Sequence, residues 1–160
     1  MYYKSLPRSL KPEDYNFDCP KAIDFPLLLK NLKSLILWEE FDEPIYDFKI
    51  HKRVGTKKVK EKPELVMIEG IFLFYFKKLR EILDYKIYLE AKEEEIFKRR
   101  MRRDKILRGS SPDFVKKQLQ RFVFEGNKKY VEKYKKYADL ILPFDLSIKE
   151  KINLILSRCY

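Results

Sequence analysis

The only histidine of the chain, His51, lies in the segment PIYDFKIHKR, close to Tyr46 and Phe48. Apolar and polar residues alternate in this segment, which is typical of a β-strand. An aromatic wall with one polar side chain suits a flat, uncharged heterocycle. A histidine in a hairpin is also commonly a simple surface residue, so these three residues alone leave both interpretations open.

A second aromatic–acid pair, Phe17 and Asp18, lies in the segment YNFDCP that ends at Pro20. Such a pair can stack on a base and hold a sugar hydroxyl. Phe17 can equally be a core residue, with Asp18 capping a turn. The residues alone favour the second interpretation.

Glu69 directly follows the apolar run from Leu65 to Ile68, which predicts a strand buried on both faces. A carboxylate at the tip of a buried strand needs a positive partner. A magnesium-bound phosphate would supply one, and so would a nearby lysine or arginine. The sequence alone does not separate these alternatives.

Four arginines, Arg99, Arg100, Arg103 and Arg108, recur at a spacing that lines one side of a helix and the loop after it. Arginine suits phosphoryl transfer because its planar fork binds the charged oxygens of the moving phosphate. A solvated basic face is the simpler interpretation of this helix taken alone. Residues 98–136 hold 15 Lys and Arg against four Asp and Glu, which equals the whole net charge of +11. That excess suggests an anionic partner: nucleic acid, an acidic surface or a phosphorylated ligand.

The elements that must position these residues alternate between helix and strand. The 160 residues are the size of one domain. Periodicity and breakers predict helices at 23–37, 76–83, 92–107, 112 to about 136 (bent near Gly126) and 147–157. They predict a hairpin around 44–62, with its second strand after Gly55, and strands at 65–68, 85–91 and 138–143. This order indicates an α/β fold with a parallel sheet, whose ligands bind beyond the carboxyl ends of the strands.

Several classes of protein are excluded by composition. Cys19 and Cys159 lie at opposite ends of the chain, so we expect no disulfide framework. One histidine makes zinc binding improbable. No apolar stretch is long enough to cross a bilayer, and the first residues carry no secretory signal. A reducing cytoplasm is the expected location.

In order along the chain, these motifs resemble the uridine kinase family of nucleoside kinases. The matching segments are YNFDCPKAIDF, PIYDFKIHKR, VMIEGIFLFY, RRMRRD, RG at 108–109 and KYADLILP. The resemblance implies a P-loop NTPase-like fold, with a parallel sheet, helices on both faces and a β-hairpin. It further implies a homo-oligomer that phosphorylates the 5′-hydroxyl of uridine or cytidine for pyrimidine salvage, with ATP or GTP as donor and Mg²⁺ as cofactor.

The resemblance also implies roles for single residues. The implied nucleoside contacts are Phe17 and Asp18 on base and ribose, Tyr46, Phe48 and His51 on the pyrimidine, and Arg100 and Gln118. Glu69 would help to position magnesium. Arg103 and Arg108 would contact phosphates from a mobile lid at about 98–118, and Glu69 and Arg103 are the expected catalytic residues.

The chain departs from that family in ways that bear on activity. None of its four glycines fits the phosphate-loop pattern G-x-x-x-x-G-K-[ST]. The family's catalytic aspartate would lie just before the pair Tyr2-Tyr3. We therefore expect a truncated uridine kinase without its first strand, phosphate loop and general base, with a gap in its sheet and little or no phosphoryl transfer by itself.

Two further differences concern specificity. Cys19 replaces the family's usual His, and Ser110 replaces its usual Arg after RG, so the choice between uridine, cytidine and another hydroxylated substrate stays open. The alternative function is a non-catalytic module that binds nucleosides or, through its basic helical face, nucleic acid. Nucleic acid is disfavoured because the candidate aromatic residues lie in the charge-balanced half of the chain.

Overall fold

An antiparallel hairpin carries the histidine. In the computed structural model, which describes residues 1–159, β1 (Phe41–Asp47) pairs with β2 (Lys52–Val59), and a bulge falls between Ile45 and Tyr46. The predicted hairpin is confirmed, but its predicted turn near Gly55 is wrong: residues 48–51 form the turn and Gly55 lies inside β2. Asp47 Oδ1 accepts a hydrogen bond from the Lys49 N–H at 2.7 Å and so closes the turn early. His51 therefore has a left-handed backbone, with φ of 52°.

The second sheet is a parallel pair, β3 (Ile87–Leu89) and β4 (Leu140–Leu142), with Ile87 opposite Leu140. This confirms the two predicted strands and their parallel direction. Asp139 fixes the entry to the pair, because its Oδ2 accepts the Lys86 N–H at 2.8 Å. Leu142, the last residue of β4, is buried.

The apolar run 65–68 is not a strand, and that prediction is wrong. It has an irregular backbone, and 80% of Leu65 and 88% of Met67 are exposed. A strand needs a neighbour to satisfy its backbone hydrogen bonds, and the described residues provide none here. The segment 65–68 is therefore irregular, unpaired and largely exposed in the described structure.

Local signals explain where the helices begin and end. The six α-helices of the described chain are α1 (Phe25–Ile36), α2 (Lys77–Arg80), α3 (Glu93–Arg108), α4 (Pro112–Gln118), α5 (Phe124–Tyr130) and α6 (Ile148–Cys159). The Asp24 carboxylate caps α1, and the Ser111 hydroxyl caps α4. Gly109 ends α3 in the left-handed conformation. None of these helices, over residues 1–159, is long and apolar enough to cross a membrane.

The helix predicted from 112 to about 136 is confirmed as a continuous helical backbone as far as Tyr130, but the predicted bend near Gly126 and the end near 136 are wrong. A π-turn (Leu119–Val123) joins α4 to α5, and a 3₁₀-helix (Glu132–Tyr137) follows α5. Val115, Leu119 and Val123 form a buried cluster against apolar side chains of α3. Gly126 lies inside α5 rather than at a bend. A Cβ there would be 2.6 Å from the Asp18 carbonyl oxygen, so the loop 15–20 packs directly on α5.

Candidate functional site

The hairpin turn, the loop 15–20, α3 and α4 enclose one cavity of about 30 Å³, which has room for a water molecule or two. Its lining is a mixture of aromatic rings and charged groups. The lining residues are Tyr3, Phe17, Asp18, Tyr46, Phe48, His51, Arg100, Asp104, Arg108, Ser110, Phe114 and Gln118. These come from six separate parts of the chain.

Stacked rings form one wall of the cavity. The rings of Phe17 and His51 lie 4.7 Å apart at 26°, because the left-handed turn at His51 brings the imidazole over the loop. Tyr46 meets Phe48 edge to face at 5.1 Å. Burial and the nearby Arg108 charge lower the pKa of His51. His51 is therefore neutral near pH 7, and a neutral imidazole can both donate and accept a hydrogen bond.

Besides Arg100 Nε, which still lies 3.1 Å from the Asp104 carboxylate, two buried polar atoms on the same cavity have no hydrogen-bond partner among the described residues: the Tyr46 hydroxyl and Gln118 Oε1. Burial raises the pKa of Tyr46 to about 12, so its hydroxyl keeps its proton. The Gln118 Nε2 group donates to the Pro12 carbonyl at 3.2 Å and to the neighbouring Glu13 carbonyl at 3.3 Å, which fixes the amide. Buried polar atoms normally find partners, so these two mark a place where a polar ligand fits.

The polar wall is built around a buried ion pair. Arg100 donates to both oxygens of Asp18, at 2.8 and 3.2 Å, and only 4% of Asp18 is exposed. Burial acts to lower the pKa of Arg100, but the Asp18 and Asp104 carboxylates outweigh it and raise that pKa. A bidentate pair of this kind fixes the direction of the carboxylate.

A second buried carboxylate, Asp104, gathers three arginines. Its oxygens lie 2.7 Å from Arg103 Nε, 3.1 Å from Arg100 Nε and 3.4 Å from Arg108 Nη1. The Arg108 guanidinium also lies 4.1 Å from the centre of the Phe48 ring. Arg99, expected on the same face, is instead well exposed and pairs with Glu95 at 2.6 Å. It precedes Arg100 by one residue, so it does not share the four-residue spacing that joins Arg100 to Asp104 and Arg108.

The structure brings most of the predicted site residues together. All seven predicted nucleoside contacts line the cavity, Arg108 lines it too, and Arg103 joins through Asp104. Glu69 does not: it is exposed in the irregular segment and outside the cavity lining. Its role, like those of the other residues, stays a prediction.

Sequence reasoning missed Tyr3, Asp104 and Phe114 as part of the site. The signal for Asp104 was available, since it lies four residues after Arg100 and four before Arg108, a spacing that brings side chains together on a helix. Tyr3 gave no signal beyond its aromatic ring. It reaches the site because the Lys4 N–H and the Ala22 carbonyl bond at 2.8 Å, which ties the first residues beside the loop.

The described residues do not by themselves fit a magnesium site. No group of three or more His, Cys, Asp or Glu side chains among residues 1–159 is placed to hold a metal ion. Glu69 stands apart from both buried carboxylates. The guanidinium groups around the cavity suit the anionic part of a nucleotide rather than a cation.

Comparison with known proteins gives a consistent result. The family model described as "Phosphoribulokinase / Uridine kinase family" matches residues 3–147. A uridine kinase of Clostridium tetani is 37% identical over 143 residues, covering 89% of this chain and 68% of that protein. Uridine-cytidine kinase A of Dictyostelium discoideum is 33% identical over 154 residues, 96% of this chain and 31% of its own length. A uridine kinase of Schizosaccharomyces pombe is 32% identical over 160 residues, 98% of this chain and 35% of its own length.

These matches confirm the resemblance predicted from the motifs, and with it the α/β class and a P-loop NTPase type of fold. The chain spans about a third of the length of two of these relatives and about two thirds of the other. Over nearly all of its described length, the chain belongs to the phosphoribulokinase/uridine kinase family of phosphotransferases.

Proposed function

We propose that the cavity binds a pyrimidine ribonucleoside, uridine or cytidine, as the acceptor half of a kinase that phosphorylates its 5′-hydroxyl from ATP or GTP. The observation that carries this proposal is the convergence of seven predicted nucleoside contacts, from four separate segments, on one cavity with two unpartnered polar atoms. The named activity of the relatives supports the substrate class.

The aromatic wall would receive the base. At about 30 Å³ the cavity is too small for a nucleoside, so the Phe17–His51 stack must part to admit one. Stacking is then retained, with the pyrimidine ring replacing one of the two partners. The Tyr46 hydroxyl and the neutral His51 ring are the polar groups available to the edge of the base.

The ribose would meet the ion pair. Asp18 is held by Arg100 with its carboxylate at the cavity, and a carboxylate oxygen accepts hydrogen bonds from two neighbouring hydroxyls. Gln118 Oε1 is the second acceptor on this side. Both groups are fixed before the ligand arrives, which reduces the entropy lost on binding.

Phosphoryl transfer would use the arginines of a lid at about 98–118. Arg103 and Arg108 lie beside the cavity and would face the charge that develops on the transferring phosphate. Glu69 stands apart from these arginines, so we derive no step of the transfer through it. The 160 residues hold no G-x-x-x-x-G-K-[ST] loop, so we propose that they transfer no phosphoryl group by themselves.

Calorimetry with uridine, cytidine and 2′-deoxyuridine tests the nucleoside site. We expect one molecule of uridine or cytidine per chain, and about tenfold weaker binding of 2′-deoxyuridine, because one hydrogen bond to a charged group is lost. Tyr46→Phe should weaken uridine binding by a similar factor. Tyr137→Phe removes a hydroxyl outside the cavity and is the matched control.

Two results would overturn the proposal. One is the absence of uridine and cytidine binding by the folded chain. The other is binding to single-stranded polyuridylate that falls steeply with salt, as basic nucleic-acid sites do, without any binding of free uridine. Formation of UMP from ATP, Mg²⁺ and uridine by these 160 residues would contradict the proposed lack of transfer.

A further inference from the structure

Asp104 lies at the centre of the arginine cluster and is 4% exposed. Its Oδ1 atom is within ion-pair distance of Arg103 and Arg108, and its Oδ2 atom is within that distance of Arg100. The carboxylate thus occupies the position that an anionic ligand of these guanidinium groups would take. It is buried and contacts three arginines. One of them, Arg100, belongs to the proposed nucleoside contacts, and the other two, Arg103 and Arg108, to the proposed phosphate contacts.

We propose that Asp104 is a positioning residue that serves as an internal substitute for phosphate. It holds Arg103 and Arg108 in place until an oligophosphate competes for them, and it anchors Arg100 behind Asp18. The link to nucleoside binding rests on the proposed function. The competition with anions does not, because it depends only on the contacts of Asp104.

The charges of the cluster leave room for an incoming anion. Asp18 and Asp104 face Arg100, Arg103 and Arg108, so the five groups carry a net charge of about +1 at neutral pH. The side chains of Arg103 and Arg108 are 42% and 21% exposed, whereas that of Arg100 is 17% exposed and takes both oxygens of Asp18. Arg103 is the most exposed of the three, and Arg108 is not held by Asp18, so these two are the arginines for which an oligophosphate can compete. Arg100 remains paired with Asp18, the proposed ribose contact.

This arrangement predicts effects of opposite sign. Without the Asp104 charge, Arg103 and Arg108 are free for an external anion, and anion affinity rises. Arg100 then loses its second anchor, Asp18 is held less firmly, and nucleoside affinity falls. A residue that only stabilised the fold would lower both affinities together.

The test is calorimetry of Asp104→Asn with inorganic tripolyphosphate and, separately, with uridine. Glu95→Gln is the matched control, since it also removes a carboxylate paired with an arginine on α3, but on the exposed side. We expect Asp104→Asn to bind tripolyphosphate about tenfold more tightly than Glu95→Gln, the equivalent of one released charge-assisted hydrogen bond. Uridine should bind Asp104→Asn about tenfold more weakly than it binds Glu95→Gln.

Equal tripolyphosphate affinities of Asp104→Asn and Glu95→Gln would overturn the proposal. Failure of the unaltered chain to bind uridine would count against the nucleoside function alone, because the tripolyphosphate comparison would still decide the role of Asp104.

A second pair of variants keeps the test decisive if Asp104→Asn does not fold. Arg103→Gln leaves Asp104 paired with Arg100 and Arg108, so no buried charge is stranded. We expect it to weaken tripolyphosphate binding about fivefold more than Arg102→Gln, an exposed arginine of the same helix, because a direct anion contact is lost. Equal weakening by the two variants would show that the cluster does not receive anions and would overturn the proposal.

Discussion

The cavity and the segment 64–69 differ in which kinds of side chain they bury. At the cavity, charged groups that are costly to bury are buried, and Asp18 and Asp104 are each met by arginine. In the segment, apolar side chains that gain from burial are left exposed, with 80% of Leu65 in contact with solvent. The charged groups of the cavity therefore have ion-pair partners, whereas most apolar side chains of the segment remain exposed.

The difference shows which side chains find partners among the described residues and which do not. Ion pairs and ring stacks at the cavity come from segments far apart in sequence, all of which are present. A strand is complete only when a neighbouring strand pairs with its backbone. Among the described residues, the charged groups of the cavity therefore have partners, whereas the apolar run 65–68 has no strand partner.

The largest expected effect comes from breaking the buried ion pair. Asp18→Asn removes the bidentate partner of the buried Arg100 and leaves Asp104 as its remaining carboxylate contact. Loss of one partner of a buried pair costs about 3 kcal/mol of the free energy of unfolding. Uridine binding should be lost with it. Urea denaturation and calorimetry measure the two effects.

Asp14→Asn is the matched control, since Asp14 pairs with Arg121 at 3.2 Å in a pair that is more than half exposed on both sides. An exposed pair contributes under about 1 kcal/mol. Equal costs for the two Asp→Asn changes would mean that the cavity pair is solvated, and the contrast between cavity and segment would lose its basis.

A smaller effect is expected where the loop 15–20 packs on α5. A Cβ at Gly126 would lie 2.6 Å from the Asp18 carbonyl oxygen, so Gly126→Ala must displace the loop. Crowding costs about 2 kcal/mol, and the better helix propensity of alanine returns about half of that, for a net loss of about 1 kcal/mol in the free energy of unfolding. Uridine affinity should fall as well, because Asp18 moves.

Gly55→Ala controls for this change, since nothing lies within 4 Å of the added methyl group. Thermal or urea unfolding should show no loss for Gly55→Ala. If Gly126→Ala is equally neutral, the loop is not held by α5, and the position of Asp18 has another cause.

Much of the fold could be predicted where the signal is local. The capping residues Asp24 and Ser111 and the terminal Gly109 place the boundaries of their helices within two residues. The prediction for the run 65–68 is wrong because apolar residues indicate a preference for burial, while burial itself needs a partner that the run does not encode. The predicted hairpin turn is wrong because the Asp47 carboxylate, not Gly55, closes it.

The candidate site shows the same division. Residue types and the family resemblance predicted the seven nucleoside contacts that converge on the cavity, because each lies in a recognisable motif. Spacing also predicted one arginine face, yet Arg99 points away from Asp104 while Arg100 and Arg103 reach it. Spacing gives the face of a helix but not what covers that face, so the burial of Asp104 could not be predicted from the sequence.

The smallest expected effect is in the exposed segment 64–69. Leu65→Ala should change the free energy of unfolding by less than about 0.5 kcal/mol, because a side chain that is already in water loses no burial. Leu79→Ala makes the same chemical change at a fully buried site and should cost about 3 kcal/mol. Urea denaturation of both variants at low protein concentration measures the difference. A cost above about 1 kcal/mol for Leu65→Ala would mean that the segment is packed in solution, and the contrast with the cavity would then be lost.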